Sequence, residues 1–124
     1  MKLLIKNTTI VTVNDQDQVL EHADLAVSGK NIVGVGKAPL DFIPDRVIDG
    51  KGKLVMPGLI NAHTHLSMTL MRNYADDLPF NDWLFKKIKP LEDHLLAEDV
   101  RLGAKLGIAE MIRGGTTCFH DMYF

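Results

Sequence analysis

Val55-Met56-Pro57-Gly58-Leu59-Ile60-Asn61-Ala62-His63-Thr64-His65-Leu66 is the stretch on which the fold turns. Pro57-Gly58 is a turn dipeptide, and the chain changes regime there. The residues before it read as short strands; those after it read as strand, helices and strand. Residues 59–62 form a short apolar strand that delivers His-Thr-His at its end. Residues i and i+2 of a strand project to the same side, roughly 6–7 Å apart along the chain. The imidazoles of His63 and His65 can therefore converge on one ion, with zinc–nitrogen distances of about 2.0–2.1 Å. At the carboxyl end of a parallel strand they would sit where α/β folds place active sites. The bland alternative is a chance His-x-His on a surface strand. Spacing alone leaves both open, because a metal site needs supporting ligands.

Upstream, residues 3–6, 9–13, 23–27, 32–35, 46–49 and 53–56 are strand candidates, several rich in Val, Ile and Thr and several alternating. Turn chemistry separates them at Asn14-Asp15, Ser28-Gly29-Lys30-Asn31 and Asp49-Gly50-Lys51-Gly52. Val27 and Ile32 flank a tight hairpin at Gly29. Residues 1–57 are thus expected to form a small antiparallel sheet unit. Downstream, residues 66–79 read as a mixed connection. Asn81 or Asp82 caps a helix running to about Ile88, and Pro90 interrupts it. A longer helix covers about residues 97–113, with Val100, Ala104, Ile108 and Met111 on one face and Leu102, Leu106, Ala109 and Ile112 widening it. So wide a band suits a helix packed on a sheet. Gly114-Gly115 ends it, and a last strand is expected over residues 116–124. The second half, residues 58–124, is a β-α-β unit.

The His-x-His context resembles the amidohydrolase superfamily. There the first strand of a (β/α)8 barrel ends in His-x-His after Pro-Gly and two hydrophobic residues, and a β-sandwich flanks the barrel. Further runs narrow the resemblance: Met68-Thr69-Leu70-Met71-Arg72, Asp76-Asp77-Leu78-Pro79-Phe80-Asn81-Asp82-Trp83-Leu84, Pro90-Leu91-Glu92 and Asp121-Met122-Tyr123-Phe124. These are similar to the methylthioadenosine/S-adenosylhomocysteine deaminase branch and its chlorohydrolase relatives. The resemblance implies a mixed α and β fold. Residues 1–57 would be the N-terminal part of a composite β-sandwich, and residues 58–124 the first strand, helices and second strand of a metal-dependent barrel. It implies a divalent metal, zinc first, held by His63 and His65 and acting on a bound water. It also implies hydrolytic deamination of an adenine-like ring, with Trp83 lining a purine pocket and Glu92 accepting hydrogen bonds from ribose hydroxyls. Residue chemistry agrees: indole offers a flat apolar face with a polar N–H, and a carboxylate can accept from both hydroxyls of a vicinal diol. Core packing for Trp83 and a solvated charge for Glu92 are the plain alternatives.

His120 and Asp121 alternate, so only one faces a barrel interior; His120 reads as a local variation. Cys118 reads as a small packing residue, His94 and His22 as solvent-facing, and Arg72 with Asp76-Asp77 as a solvated loop. His-x-Glu with Pro-Cys-x-x-Cys is missing, so cytidine-deaminase chemistry is excluded. The His-Glu-x-x-His protease motif is missing as well, and Gly34 and Gly36 do not make a dinucleotide site.

The 124 residues carry 14 Lys+Arg against 16 Asp+Glu, a formal net charge of −2 that gives no reason to expect nucleic acid or an anionic membrane as partner. A 46% apolar share is that of a globular chain. One Cys fits a reducing, cytoplasmic compartment. The resemblance implies a small purine nucleoside as the parent's partner. A (β/α)8 barrel takes about 250 residues, and a catalytic zinc needs about three protein ligands. The chain is therefore expected to be an N-terminal fragment, inactive alone, that self-associates through exposed strand edges. An aminotriazine chlorohydrolase or guanine-deaminase parent, or a non-catalytic self-associating module, are the alternative readings.

Overall fold

The structure, a computed structural model, describes residues 1–123. It forms two compact units, Met1–Pro57 and the residues from Gly58 on.

In the first unit, β1 (Lys2–Val11), β2 (Val19–Ser28), β3 (Asn31–Gly36), β4 (Arg46–Asp49) and β5 (Leu54–Val55) make one sheet of order β3-β2-β1-β4, with β5 also on β1. The hairpin stands where expected: Val27 pairs with Ile32 and Ser28 with Asn31, and Gly29 takes φ +61 in the turn. Two expectations change. Residues 3–6 and 9–13 are not separate strands but parts of one, β1, bulged at Asn7. Asn7 (φ +55) enters the left-handed region that Asn tolerates, and its N–H donates to Asp24 Oδ1 at 3.0 Å, so the bulge leaves no orphan donor. The sheet is also mixed rather than antiparallel, because β4 and β5 both run parallel to β1. Alternation reports which face a residue occupies, not which way a strand runs. Ile10, Ala23 and Leu25 form the core here, with Ile5, Leu20, Val27 and Val55 against them.

The second unit begins with β6 (Leu59–Thr64), followed by a 3₁₀ helix (Leu66–Met71). A π-helix (Asp82–Ile88) then runs directly into α1 (Lys89–Glu92), and α2 (Ala97–Arg113) leads to β7 (Thr116–Asp121), which pairs parallel with β6. Phe124, the last residue of the expected strand, lies outside the described residues. Pro90 does not interrupt the helix at Ile88. It sits in the first turn of α1, after the wider π turns. An i→i+5 winding moves the preceding carbonyls away from the pyrrolidine ring, which would clash with an α-helical i−4 carbonyl. Trp83 and Glu92 thereby share one continuous helical run.

The long helix begins and ends where the sequence places it. Asp99 Oδ2 accepts the Leu96 N–H at 2.9 Å at its start. At its end Gly115 takes φ +87 and donates to the Ile112 carbonyl at 3.2 Å. The expected first face, Val100, Ala104, Ile108 and Met111, is half-buried, whereas Leu102, Leu106, Ala109 and Ile112, expected to widen it, stay exposed. The fully buried residues of α2 are Gly103 and Gly107. The two glycines, one turn apart, let α2 lie directly on the 3₁₀ helix. A Cβ on Gly103 would stand 2.5 Å from the Ser67 carbonyl oxygen, and one on Gly107 2.8 Å from Leu66 Cδ2. Ser67, buried, donates its hydroxyl to the Val100 carbonyl at 3.1 Å across the same contact. Among the described residues no helix is long and apolar enough to cross a membrane.

Gly103 gives a sign test of this contact. An exposed helical Gly→Ala gains about 1 kcal/mol. Here the steric conflict should reverse that, and Gly103→Ala is expected to cost about 1–3 kcal/mol in a urea unfolding series. Unchanged or raised stability would show that α2 does not lie on Ser67.

Candidate functional site

His63 is the fifth residue of β6 and His65 comes directly after the strand, so both stand at its carboxyl end. The two Nε2 atoms are 3.2 Å apart, with the rings edge to face at a centroid distance of 5.0 Å. Two nitrogens on one tetrahedral ion, each about 2.0–2.1 Å from it, lie about 3.3–3.4 Å from each other. Two imidazole nitrogens placed in this way fit a single divalent ion. Both side chains are exposed, so an ion could reach them. Asn61 Oδ1 accepts the His63 backbone N–H at 3.2 Å and ties down the strand end. Among the described residues no third His, Cys, Asp or Glu joins the pair.

What holds this end of the unit together is Asp121, the last residue of β7. Its Oδ1 accepts the backbone N–H of Leu66, directly after His65, at 3.2 Å. The same oxygen accepts the N–H of Tyr123 at 3.1 Å, an Asx turn just past the strand. Met122 N–H donates to the Thr64 carbonyl at 2.9 Å, between the two histidines. One carboxylate thus fixes both the histidine pair's backbone and the turn that carries Tyr123. The Tyr123 ring lies edge-on to His65 at 6.4 Å between centroids, and its hydroxyl donates to Glu92 Oε1 at 2.8 Å. Burial, and then the neighbouring Glu92 carboxylate, push the Tyr123 phenol up to about 12, so it remains a proton donor at neutral pH.

Of the residues singled out from sequence, the structure brings together His63 and His65, and joins Glu92 to them through Tyr123. Trp83 is half-buried on the π-helix, its ring 5.9 Å from that of Phe80. Arg72 is paired rather than loosely solvated: its Nη1 and Nη2 reach Glu110 Oε1 and Oε2 at 3.2 and 2.7 Å. Hydrogen bonding between them raises the Arg72 pKa and lowers that of Glu110. Cys118 is exposed in β7 rather than packed, and His120 is exposed beside it. His22 and His94 are exposed as expected, each with one polar contact, to Asn7 Oδ1 and to the Pro90 carbonyl. Sequence reasoning missed the parts played by Asp121 and Tyr123. An Asp-x-Tyr just after an apolar strand is a recognisable Asx-turn signal.

Residues 54–124 match the model of the Amidohydrolase family. The 5-methylthioadenosine/S-adenosylhomocysteine deaminase of Acetivibrio thermocellus is 52% identical over 99% of this chain, which spans 29% of that protein. The protein of the same name from Caldanaerobacter subterraneus is 53% identical over all of this chain, which spans 28% of it. Among solved structures, an adenosine deaminase from Xanthomonas campestris with bound zinc superposes with a TM-score of 0.89 at 44% identity, over 98% of this chain and 29% of that one. An atrazine chlorohydrolase from Arthrobacter aurescens complexed with zinc gives 0.85 at 32% identity, over 98% and 28%. The chain therefore spans less than a third of the length of these relatives.

Asp121 gives the test of this geometry. Asp121→Ala strips the acceptor from two backbone donors and is expected to cost about 1–3 kcal/mol in denaturant unfolding. Asp121→Asn keeps an acceptor oxygen and should retain most of that. Equal losses in the two variants would contradict the hydrogen-bonded role.

Proposed function

The chain belongs to the amidohydrolase family, and from that premise we propose that its residues are the amino-terminal part of a metal-dependent deaminase. The substrate on this reading is a nucleoside with an adenine ring, methylthioadenosine or S-adenosylhomocysteine. The observation that carries it is the 3.2 Å approach of the two Nε2 atoms at the carboxyl end of β6, close to the separation that two ligands of one tetrahedral ion take. When bound, the divalent ion, zinc in the first instance, supplies an activated water at neutral pH. His63 and His65 hold two of its positions. Glu92, at the end of α1 and hydrogen-bonded to Tyr123, offers its carboxylate to the hydroxyls of the ribose. Trp83 offers an apolar face to the base. Identity near 50% to proteins named as such deaminases supports this substrate class over an aminotriazine, and so does a carboxylate suited to a diol.

The experiment is ammonia release from either nucleoside by the full-length protein, with metal content measured in parallel. Partners that merely orient metal ligands already cost about 10–100-fold, so His63→Ala and His65→Ala should each lower activity by more than about a hundredfold and reduce bound metal. Residues 1–124 alone, holding two ligands, should release none. Chloride release from atrazine without ammonia release from either nucleoside would replace this reading with the chlorohydrolase one. Metal analysis separates zinc from iron or manganese, which two histidines also suit.

We also infer that the isolated 124 residues self-associate. Ile60 in β6 and Ile112 in α2 are 74% and 67% exposed, and among the described residues β6 and β7 pair only with each other. Unpaired strand edges beside uncovered apolar side chains favour pairing between copies. A size-exclusion mass above the monomer is the expected result, and a monodisperse monomer the contrary one.

A further inference from the structure

Among the described residues, Tyr123 is the polar side chain that links the histidine pair to Glu92. Its backbone is fixed from two sides, by Asp121 Oδ1 on its own N–H and by the neighbouring Met122–Thr64 bond at 2.9 Å. Its ring is set against His65. The hydroxyl at the far end of that ring is therefore delivered to a defined point, and there it donates to Glu92 Oε1 at 2.8 Å. Glu92 sits at the last position of α1, and it is half-buried. Holding such a carboxylate in one rotamer removes an ordering cost that substrate binding would otherwise meet. An ionised carboxylate has about four lone-pair sites. The phenol engages one of them, and Oε2 accepts no hydrogen bond from the described residues.

We propose that Tyr123 is a positioning residue for sugar recognition: its hydroxyl orients the Glu92 carboxylate so that Oε2 faces the diol of a bound nucleoside. The inference rests on the reading of Glu92 given above and extends it to a residue that acts on the sugar through that carboxylate. It ties sugar recognition to the metal-binding strand, since Asp121 sets the Tyr123 turn and the backbone after His65 together.

The test is a double-mutant cycle in the full-length protein, with Tyr123→Phe, Glu92→Ala and the pair, using the ribose and deoxyribose forms of one adenine nucleoside. Glu92→Ala, which removes every acceptor, should collapse the preference for the ribose form. Tyr123→Phe should weaken that preference by about ten- to a hundredfold, the usual worth of a hydrogen bond to a charged group. The loss should fall in KM for the ribose form, with kcat and metal content unchanged. In the Glu92→Ala background Tyr123→Phe should then be silent. A merely structural Tyr123 would lower turnover of both nucleosides alike, and that result overturns the proposal. So do additive effects in the cycle. If Glu92→Ala leaves the preference intact while ammonia is still released, both the Tyr123 proposal and the diol role of Glu92 fall but the deaminase reading stands. If no nucleoside is deaminated, the reading beneath the proposal has failed and the proposal fails with it.

Discussion

One carboxylate oxygen organises the working end of this chain. Asp121 Oδ1 accepts two backbone N–H groups, one just after His65 and one at Tyr123. Parallel strands have no hairpin to hold their ends in step, so the register of β6 and β7 near the histidines depends on such clips. The pairing does shift between Asn61 and Thr64, where the backbone prepares to leave the sheet. A side-chain acceptor bridging both exits fixes what the ladder no longer does. The convergence of the two imidazoles and the reach of the tyrosine hydroxyl come from that constraint.

The packing behind it serves the same end. The 3₁₀ helix after His65 is pinned on α2 through Gly103, Gly107 and the Ser67 hydroxyl. Arg72 then clamps the residues beyond it to Glu110 on the same helix. Burial is concentrated in this contact: Leu66, Ser67 and Met71 are all buried, whereas Leu102, Leu106 and Ile112 of α2 and Ile60 and Phe119 of the strands are not. The second unit is thus closely packed between the 3₁₀ helix and α2 and leaves apolar side chains exposed on its strands and on the rest of α2.

Much of this is legible in the sequence. Alternation, turn dipeptides and the Gly-Gly stop mark most strand and helix limits, and apolar periodicity places a helix at residues 97–113, the span of α2. His-x-His at a strand end names the two residues that converge. The rest is hidden for physical reasons. Asn7 looks like a break because a bulge and a turn use the same residue type. Strand direction is not written in alternation, so β4 and β5 run parallel where an antiparallel sheet is expected. Pro90 is a helix breaker in an α-helix but fits after π turns, which have no strong sequence signature. Apolar periodicity finds the half-buried Val100, Ala104, Ile108 and Met111 of α2 but not Gly103 and Gly107, whose close approach depends on having no side chain. Asp121 acts through backbone partners, which no side-chain pattern reveals.

The central claim is that the Nε2 atoms of His63 and His65 bind one ion. It is tested most directly by locating the metal in crystals of the full-length protein by anomalous diffraction at the zinc edge. The expected result is a single peak about 2.0–2.1 Å from both Nε2 atoms, with neither Nδ1 coordinated. A peak that leaves either histidine outside coordination distance, or metal bound elsewhere while the two rings hydrogen-bond to each other, would contradict it.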